Sequence, residues 1–69
     1  MKFSVLKIME TNTDFGVVVK KHLDHNAHYP YVVNVIDKVH QEIVEMRAFE
    51  SETLANKKAK GWQKAYSTS

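Results

Sequence analysis

The sequence contains no cysteine, a single proline and only two glycines among its 69 residues. The lack of cysteine excludes disulfides and thiolate metal sites, the usual means of stabilising a very small domain. Two isolated glycines, Gly16 and Gly61, cannot form a glycine-rich phosphate-binding loop. A chain this short then depends on a well-packed core or on association with another chain.

Long hydrophobic runs are also missing. Near the start of the chain, Lys2 and Lys7 enclose only four apolar or small residues. Such a run is too short for the core of a signal peptide or for a membrane span. We therefore expect a cytoplasmic protein with no membrane partner.

Charge is distributed unevenly along the chain. Residues 37–52 hold five acidic and two basic side chains, whereas the chain from Thr53 onward has four lysines and no acidic residue. This separation suits a protein that is steered toward a charged partner. Charged faces that only keep a small protein in solution produce the same pattern.

The first third of the sequence predicts a β-hairpin, with strands over 2–10 and 15–23 and a polar turn between them. Residues alternate in character along the second strand, which is typical of a strand with two different faces. One face carries Phe15, Val17, Val19 and Leu23, and the other carries Val18, Lys20 and His22.

The segment from Tyr31 to Phe49 fits two structures. Its apolar residues also recur at helical spacing, and Pro30 would suit a first helical position. Dense β-branched residues and a polar group at 37–41 favour a second hairpin instead, with strands over 31–36 and 42–49. The two neighbouring carboxylates Glu42 and Glu45 would then point to opposite faces and could not act as a catalytic pair.

The last third predicts an amphipathic helix over about 52–66, with Ser51 as its N-cap. Trp62 is expected to anchor the helix in the core, and Gly61 to let the helix approach the sheet closely. The complete prediction is an α+β domain, a small antiparallel sheet of four or three strands in two hairpins, covered by this helix. The apolar stripe of the helix consists of Leu54, Ala55, Ala59, Trp62, Ala65 and Tyr66.

A phenylalanine ends the last predicted strand, and a Ser-Glu-x-Leu-Ala start and a closing Trp and Tyr mark the helix. The residues of this pattern are Phe49, Ser51, Glu52, Leu54, Ala55, Ala59, Trp62 and Tyr66. A small sheet followed by such a helix resembles small accessory proteins of bacteriophages, of the host-takeover or anti-defence type. The resemblance implies an inhibitor, anti-CRISPR activity included, that blocks a host enzyme or defence complex in the host cytoplasm. Its partner would be a host protein or a protein–nucleic acid complex.

Partner-binding residues are expected mainly on the helix, where Lys57, Lys60 and Lys64 form one line, the lysine ridge. Such a line suits an acidic protein surface, or the phosphates of a nucleic acid without reading of its bases. Mere solvation is the third interpretation. We add Lys20 and His22, on the second strand, as candidate partner-binding residues.

The histidines are weak candidates for a metal site, and we expect no cofactor and no catalytic residue. His22, His25 and His28 are three residues apart, so a loop could fold them around a metal ion. A solvated loop explains the same spacing, and no defined scaffold accompanies it. With no elbow-type serine either, we expect a binding protein rather than an enzyme.

Several strands are apolar on both faces, whereas one helix can cover only one of them. The second face needs another cover, either a copy of the chain or a different protein. A homodimer is therefore expected as well, and a purely structural homodimer is a third functional interpretation beside the inhibitor and the nucleic-acid binder.

Overall fold

The computed structural model describes residues 2–24 and 26–68 of the chain. The strands form one antiparallel sheet in the order β1-β2-β3-β4, so each strand pairs with its neighbour in sequence. The predicted α+β class is confirmed, with a four-stranded sheet and one C-terminal helix. In chain order the elements are β1 (Phe3–Glu10), β2 (Phe15–His22), β3 (Tyr31–Asp37), β4 (Glu42–Phe49) and α1 (Glu52–Ala65).

The turn between β3 and β4 shows why the segment after Pro30 forms a hairpin rather than a helix. Asp37 ends β3, and its Oδ1 accepts hydrogen bonds from the backbone N–H groups of Val39 and His40 at 3.0 and 3.2 Å. Gln41 adopts a left-handed conformation with φ of 56° and completes the reversal. The side chain of Asp37 thereby turns the chain back at the point where a helix would have continued.

The core lies between α1 and the two central strands. Val17 and Val19 of β2 and Val33 and Val35 of β3 have no exposed surface. Each fully buried valine contributes roughly 1.5 to 3 kcal/mol of hydrophobic stabilisation. Ala55 and Ala59 of the helix, also fully buried, pack on these valines.

Both ends of α1 are held by hydrogen bonds. Ser51 Oγ accepts the backbone N–H of Leu54 at 3.3 Å, which confirms the predicted N-cap. At the other end, the Thr13 hydroxyl donates to the carbonyl of Tyr66 at 2.7 Å. The ring of Tyr66 packs on that of Phe15, with centroids 4.9 Å apart. The end of the helix is thus joined to the β1–β2 turn.

The strand register divides the sheet into a helix face and an open face. Residues directly opposite each other in a ladder share a face, so Val18, Asn34 and Met46 all lie opposite to the buried valines. A bulge at Leu6 adds one residue to β1, and another at Val44 adds one residue to β4. Beyond each bulge, the residues of the edge strand that point to the helix face and to the open face are exchanged. The open face, away from the helix, carries Phe3, Val5, Ile8, Val18, Val32, Asn34, Ile36, Ile43, Met46 and Ala48.

The bulge at Val44 corrects the sequence-based prediction for two glutamates. Glu42 and Glu45 pair with Asp37 and Val35, two positions on one face, so the two glutamates share the helix face instead of pointing apart. Ile43 lies on the open face. One extra residue in a strand reverses the alternation beyond it.

Candidate interaction surfaces

The lysine ridge lies on the outer side of α1, as its helical spacing predicts. Lys57, Lys60 and Lys64 are exposed, while Ala55 and Ala59 on the opposite side are buried. At spacings of three, four and seven residues, the three ammonium groups follow one line along the helix. This line presents positive charge directly to solvent.

A groove between α1 and β4 borders the ridge and has a volume of about 380 Å³. Three of its six lining residues are cationic and none is acidic. Its apolar part includes the half-exposed Leu54 and the ring of Phe49. The basic groove is lined by Arg47, Phe49, Leu54, Lys57, Lys58 and Gly61.

Cations cover the aromatic rings in and beside the basic groove. Lys58 Nζ lies 4.7 Å from the ring centroid of Trp62, and Arg47 Cζ lies 5.8 Å from that of Phe49. Both rings are partly buried and pack against the core, as predicted for Trp62. Their faces are occupied by side chains of this chain, so they do not form an open stacking platform.

Gly61 does not have the expected role. A Cβ at this position would meet no atom of the described residues within 4 Å other than the backbone of its own helix, and the residue is exposed. It therefore does not mediate a close approach of helix and sheet. Because Gly61 has no side chain, the basic groove is shallower on the side that this residue lines.

Lys20 and His22 lie at one end of the open face, beside Phe3. Lys20 Nζ is 5.9 Å from the Phe3 ring centroid, and the rings of Phe3 and His22 meet edge to face at 4.7 Å. The two candidates therefore form a cluster with an aromatic residue. They are separated from the lysine ridge by the thickness of the sheet and helix.

The structure describes only two members of the predicted histidine trio. His25 lies outside the described residues. His22 Nδ1 accepts the backbone N–H of Asp24 at 3.0 Å, so this nitrogen already has a partner, and His28 is exposed in the connection to β3.

A different group of metal-ligand residues lies at the β3–β4 turn. Asp37, His40 and Glu42 each place a potential ligand atom within 4.8 Å of the others. The hydrogen bond between Asp37 Oδ2 and His40 Nδ1, at 2.7 Å, lowers the pKa of Asp37 below its ordinary value. The Asp37 carboxylate also accepts hydrogen bonds from two backbone N–H groups of the turn. The geometry of the turn therefore explains why these three side chains lie close together. No recognised ligand spacing marks this group in the sequence, because three different types of residue share one short turn.

Tyr66 links the helix to the acidic strand β4. Partial burial of its phenol raises the pKa of Tyr66, and the negative charge of Glu45 raises it further. The carboxylate of Glu45 is brought to this side of the sheet by the bulge at Val44. The helix side thus has an acidic position near Tyr66 and a basic groove beyond it.

Asn34 is a site residue that no pattern in the sequence marks. It is 2% exposed at the centre of the open face, and its Oδ1 has no hydrogen-bond donor in the part of the chain that is described. Only the register, which puts Val18 and Met46 on either side of it, shows that this amide is surrounded by apolar side chains.

Comparisons with protein-family models, with curated proteins and with solved structures find no match to this chain. In the described ranges 2–24 and 26–68, no helix has the length and apolar character needed to cross a membrane.

Proposed function

We propose that this protein is a small cytoplasmic binding protein that acts by protein–protein contact rather than by catalysis, and that its partner presents an acidic surface. The partner docks on the helix side, over the lysine ridge and the basic groove. Positive charge there guides the encounter, and the apolar part of the groove supplies contact energy.

The composition of the basic groove is the observation that carries this proposal. Arg47, Lys57 and Lys58 line the groove together with Leu54, an exposed leucine, and no acidic side chain is among the lining residues. Apolar surface ringed by charge of one sign is typical of a protein-binding site, where an apolar anchor enters and charged groups pair around it. The ridge extends the same charge along α1.

The groove also favours a protein over a single-stranded nucleic acid. Sequence-tolerant binding of single strands needs aromatic faces on which bases stack. The faces of Trp62 and Phe49 are covered by Lys58 and Arg47. A base would have to displace these cations, whereas a carboxylate from a protein would pair with them in place.

Nucleic-acid binding is the second candidate function, and the lysine ridge is the observation that favours it. Three aligned ammonium groups can contact successive phosphates without reading any base. Such binding would show no sequence preference and would weaken steeply with salt.

The most specific form of the proposal is inhibition of a host enzyme or defence complex, as the likeness to bacteriophage accessory proteins implies. In this role the protein occupies a functional surface of its target, and it acts in the host cytoplasm. Inhibition of a CRISPR effector is one instance. A protein–nucleic acid complex as target would present both carboxylates and phosphates to the helix side.

The experiment that tests this function is capture from bacterial lysate on immobilised protein, with and without nuclease treatment. A protein partner is expected to be retained after nuclease treatment and to be eluted by moderate salt. Loss of all captured material on nuclease treatment would overturn the proposal in favour of nucleic-acid binding. Activity of the identified target, measured with and without this protein, then tests inhibition.

A further inference from the structure

The open face of the sheet is a second surface, distinct from the helix side. Its exposed apolar side chains come from the two edge strands, β1 and β4, and flank the half-buried residues of the central strands. Apolar patches of this extent on small proteins mark interaction surfaces. The most exposed members are Val5 at 55%, Ile8 at 64%, Ile43 at 53% and Met46 at 69%.

Asn34 distinguishes this face from an ordinary apolar patch. Its Oδ1 is buried and finds no donor among the described residues, which is unfavourable unless a donor arrives from another molecule. The neighbouring Met46 is unbranched and largely exposed, so it can swing aside and open the amide to a partner. The partner must therefore bring a hydrogen-bond donor to the centre of an apolar surface.

Asn34 belongs to one straight row across the sheet. Ile8 pairs with Val18, Val18 with Asn34, and Asn34 with Met46. A two-fold axis along this row, between two sheets packed face to face, brings each residue of the row opposite its own copy. The two Asn34 amides can then each donate to and accept from the other, as paired asparagines do in coiled coils.

The same axis also brings the two charged ends of the face together. Lys20 lies two residues from the row in one direction, and Glu10 lies two residues from it in the other. The axis exchanges the two ends, so Lys20 of each copy approaches Glu10 of the other. Glu10 Oε2 also accepts a hydrogen bond from Lys38 Nζ of its own chain at 2.7 Å, so Lys20 would join an existing ion pair. An axis running along the strands would instead place Lys20 near its own copy.

The size of the face is also suited to a dimer. Four strands about 4.8 Å apart, with about 3.4 Å per residue, cover roughly 500 Å² in projection. A standard stable interface buries about 800 Å² of accessible surface on each partner, and the side chains on a sheet make its accessible area larger than its projection.

We propose that a second copy of this chain covers the open face, with the two Asn34 side chains hydrogen-bonded to each other on a two-fold axis along the row Ile8, Val18, Asn34, Met46. The dimer has four layers, helix, sheet, sheet and helix. Both lysine ridges and both basic grooves face outward, so one dimer offers two copies of the helix-side surface and gains avidity for a repeated target.

Crosslinking tests this geometry directly, because the chain has no native cysteine. Ile8→Cys and Met46→Cys lie on the axis and are expected to crosslink to their own copies with a short bismaleimide. Val5→Cys and Ile43→Cys are the matched controls, similarly exposed on the same face but away from the row. They should not crosslink to themselves, whereas a mixture of Ile43→Cys and Ala48→Cys should crosslink as a pair.

Sedimentation equilibrium of the native chain supplies the second measurement. A concentration-dependent dimer together with row-specific crosslinking supports the proposal. A monomer at every concentration up to high micromolar overturns it, and leaves the open face to a foreign protein. A dimer in which row and control cysteines crosslink equally overturns the proposed axis. Neither result depends on whether the helix side binds a partner.

Two variants test the contacts themselves. Asn34→Asp places two carboxylates on the axis, and it should weaken dimerisation about tenfold or more at neutral pH, with recovery under acidic conditions. Met46→Glu changes an exposed residue that the fold does not require, and it should also dissociate the dimer. If Asn34→Asp does not fold, Met46→Glu decides, and unchanged association of a folded variant contradicts the proposal.

Discussion

Asn12 in the β1–β2 turn and Thr68 near the end of the chain are joined by two hydrogen bonds, although 56 positions separate them. Asn12 Nδ2 donates to the Thr68 carbonyl, and the Thr68 N–H donates to Asn12 Oδ1, each at 2.8 Å. The residues after the helix are thereby fixed to the start of the sheet. Exposed hydrogen bonds of this kind each contribute little, but together they order the segment.

Replacing Asn12 by alanine is expected to release this segment. The amides of Ser67 and Thr68 should exchange faster with solvent, and the free energy of unfolding should fall by about 1 kcal/mol, since both bonds are solvent-exposed. Hydrogen exchange followed by NMR makes the measurement. Asn26→Ala in the β2–β3 connection is the control, and equal effects of the two changes would contradict the role of Asn12.

Trp62 is expected to matter far more to stability than the cation above it. Trp62→Ala removes a large ring packed on the core and should lower the free energy of unfolding by about 3 kcal/mol. Lys58→Gln removes only the contact with the ring face and should cost less than about 1 kcal/mol. Urea denaturation followed by tryptophan fluorescence suits Lys58→Gln, and circular dichroism suits Trp62→Ala. Similar losses for both would place Trp62 outside the core.

Gly61 offers a stabilising substitution. Because a methyl group at this position would meet no atom of the described residues other than the backbone of its own helix, Gly61→Ala should raise the free energy of unfolding by about 1 kcal/mol through helix propensity alone. Thermal unfolding measures the gain. A destabilised Gly61→Ala variant would mean that the helix needs glycine here for packing, as its sequence context had suggested.

The β3–β4 turn should make stability dependent on pH on the acid side. The folded-state pKa of Asp37 lies below its ordinary value of 3.8, chiefly because of the hydrogen bond with His40. The charged carboxylate is thus favoured in the folded state, so its contribution is fully present above the unfolded pKa and is lost as pH falls through the folded one. In the Asp37→Asn variant, the free energy of unfolding should depend less on pH below about pH 4, roughly where a free aspartate titrates. A free energy of unfolding that falls as steeply with acid in Asp37→Asn as in the native chain would contradict this role of Asp37.

The fold could be predicted from local patterns where those patterns agree with each other. The alternation around Val17 and Val19 identified a two-faced strand, and Ser51 marked the start of the helix. For the segment after Pro30, hydrophobic periodicity alone was not enough, because its apolar residues fit both the spacing of a helix and that of a strand. The side chain of Asp37, which caps the turn, decides between them.

The details of the surfaces could not be predicted because they depend on single insertions and on distant pairings. The bulge at Val44 moves Glu45 to the helix face, and strand sequence alone does not reveal an extra residue. The isolation of Asn34 follows from the register of three strands. The contact of Asn12 with Thr68 joins the β1–β2 turn to the residues after the helix, and no local pattern can show a pairing over 56 positions.

The measurement that tests the binding function most directly compares three double variants for association with the partner captured after nuclease treatment. Arg47→Gln with Lys57→Gln alters the basic groove, and Lys60→Gln with Lys64→Gln alters the lysine ridge. Lys2→Gln with Lys7→Gln removes the same charge at the β1 edge of the sheet, the edge opposite to the β4 strand that borders the groove. Helix-side docking predicts slower association and a weaker salt dependence for the first two pairs, with the third close to the native chain. Equal association by all three variants and the native chain would contradict an acidic partner on the helix side.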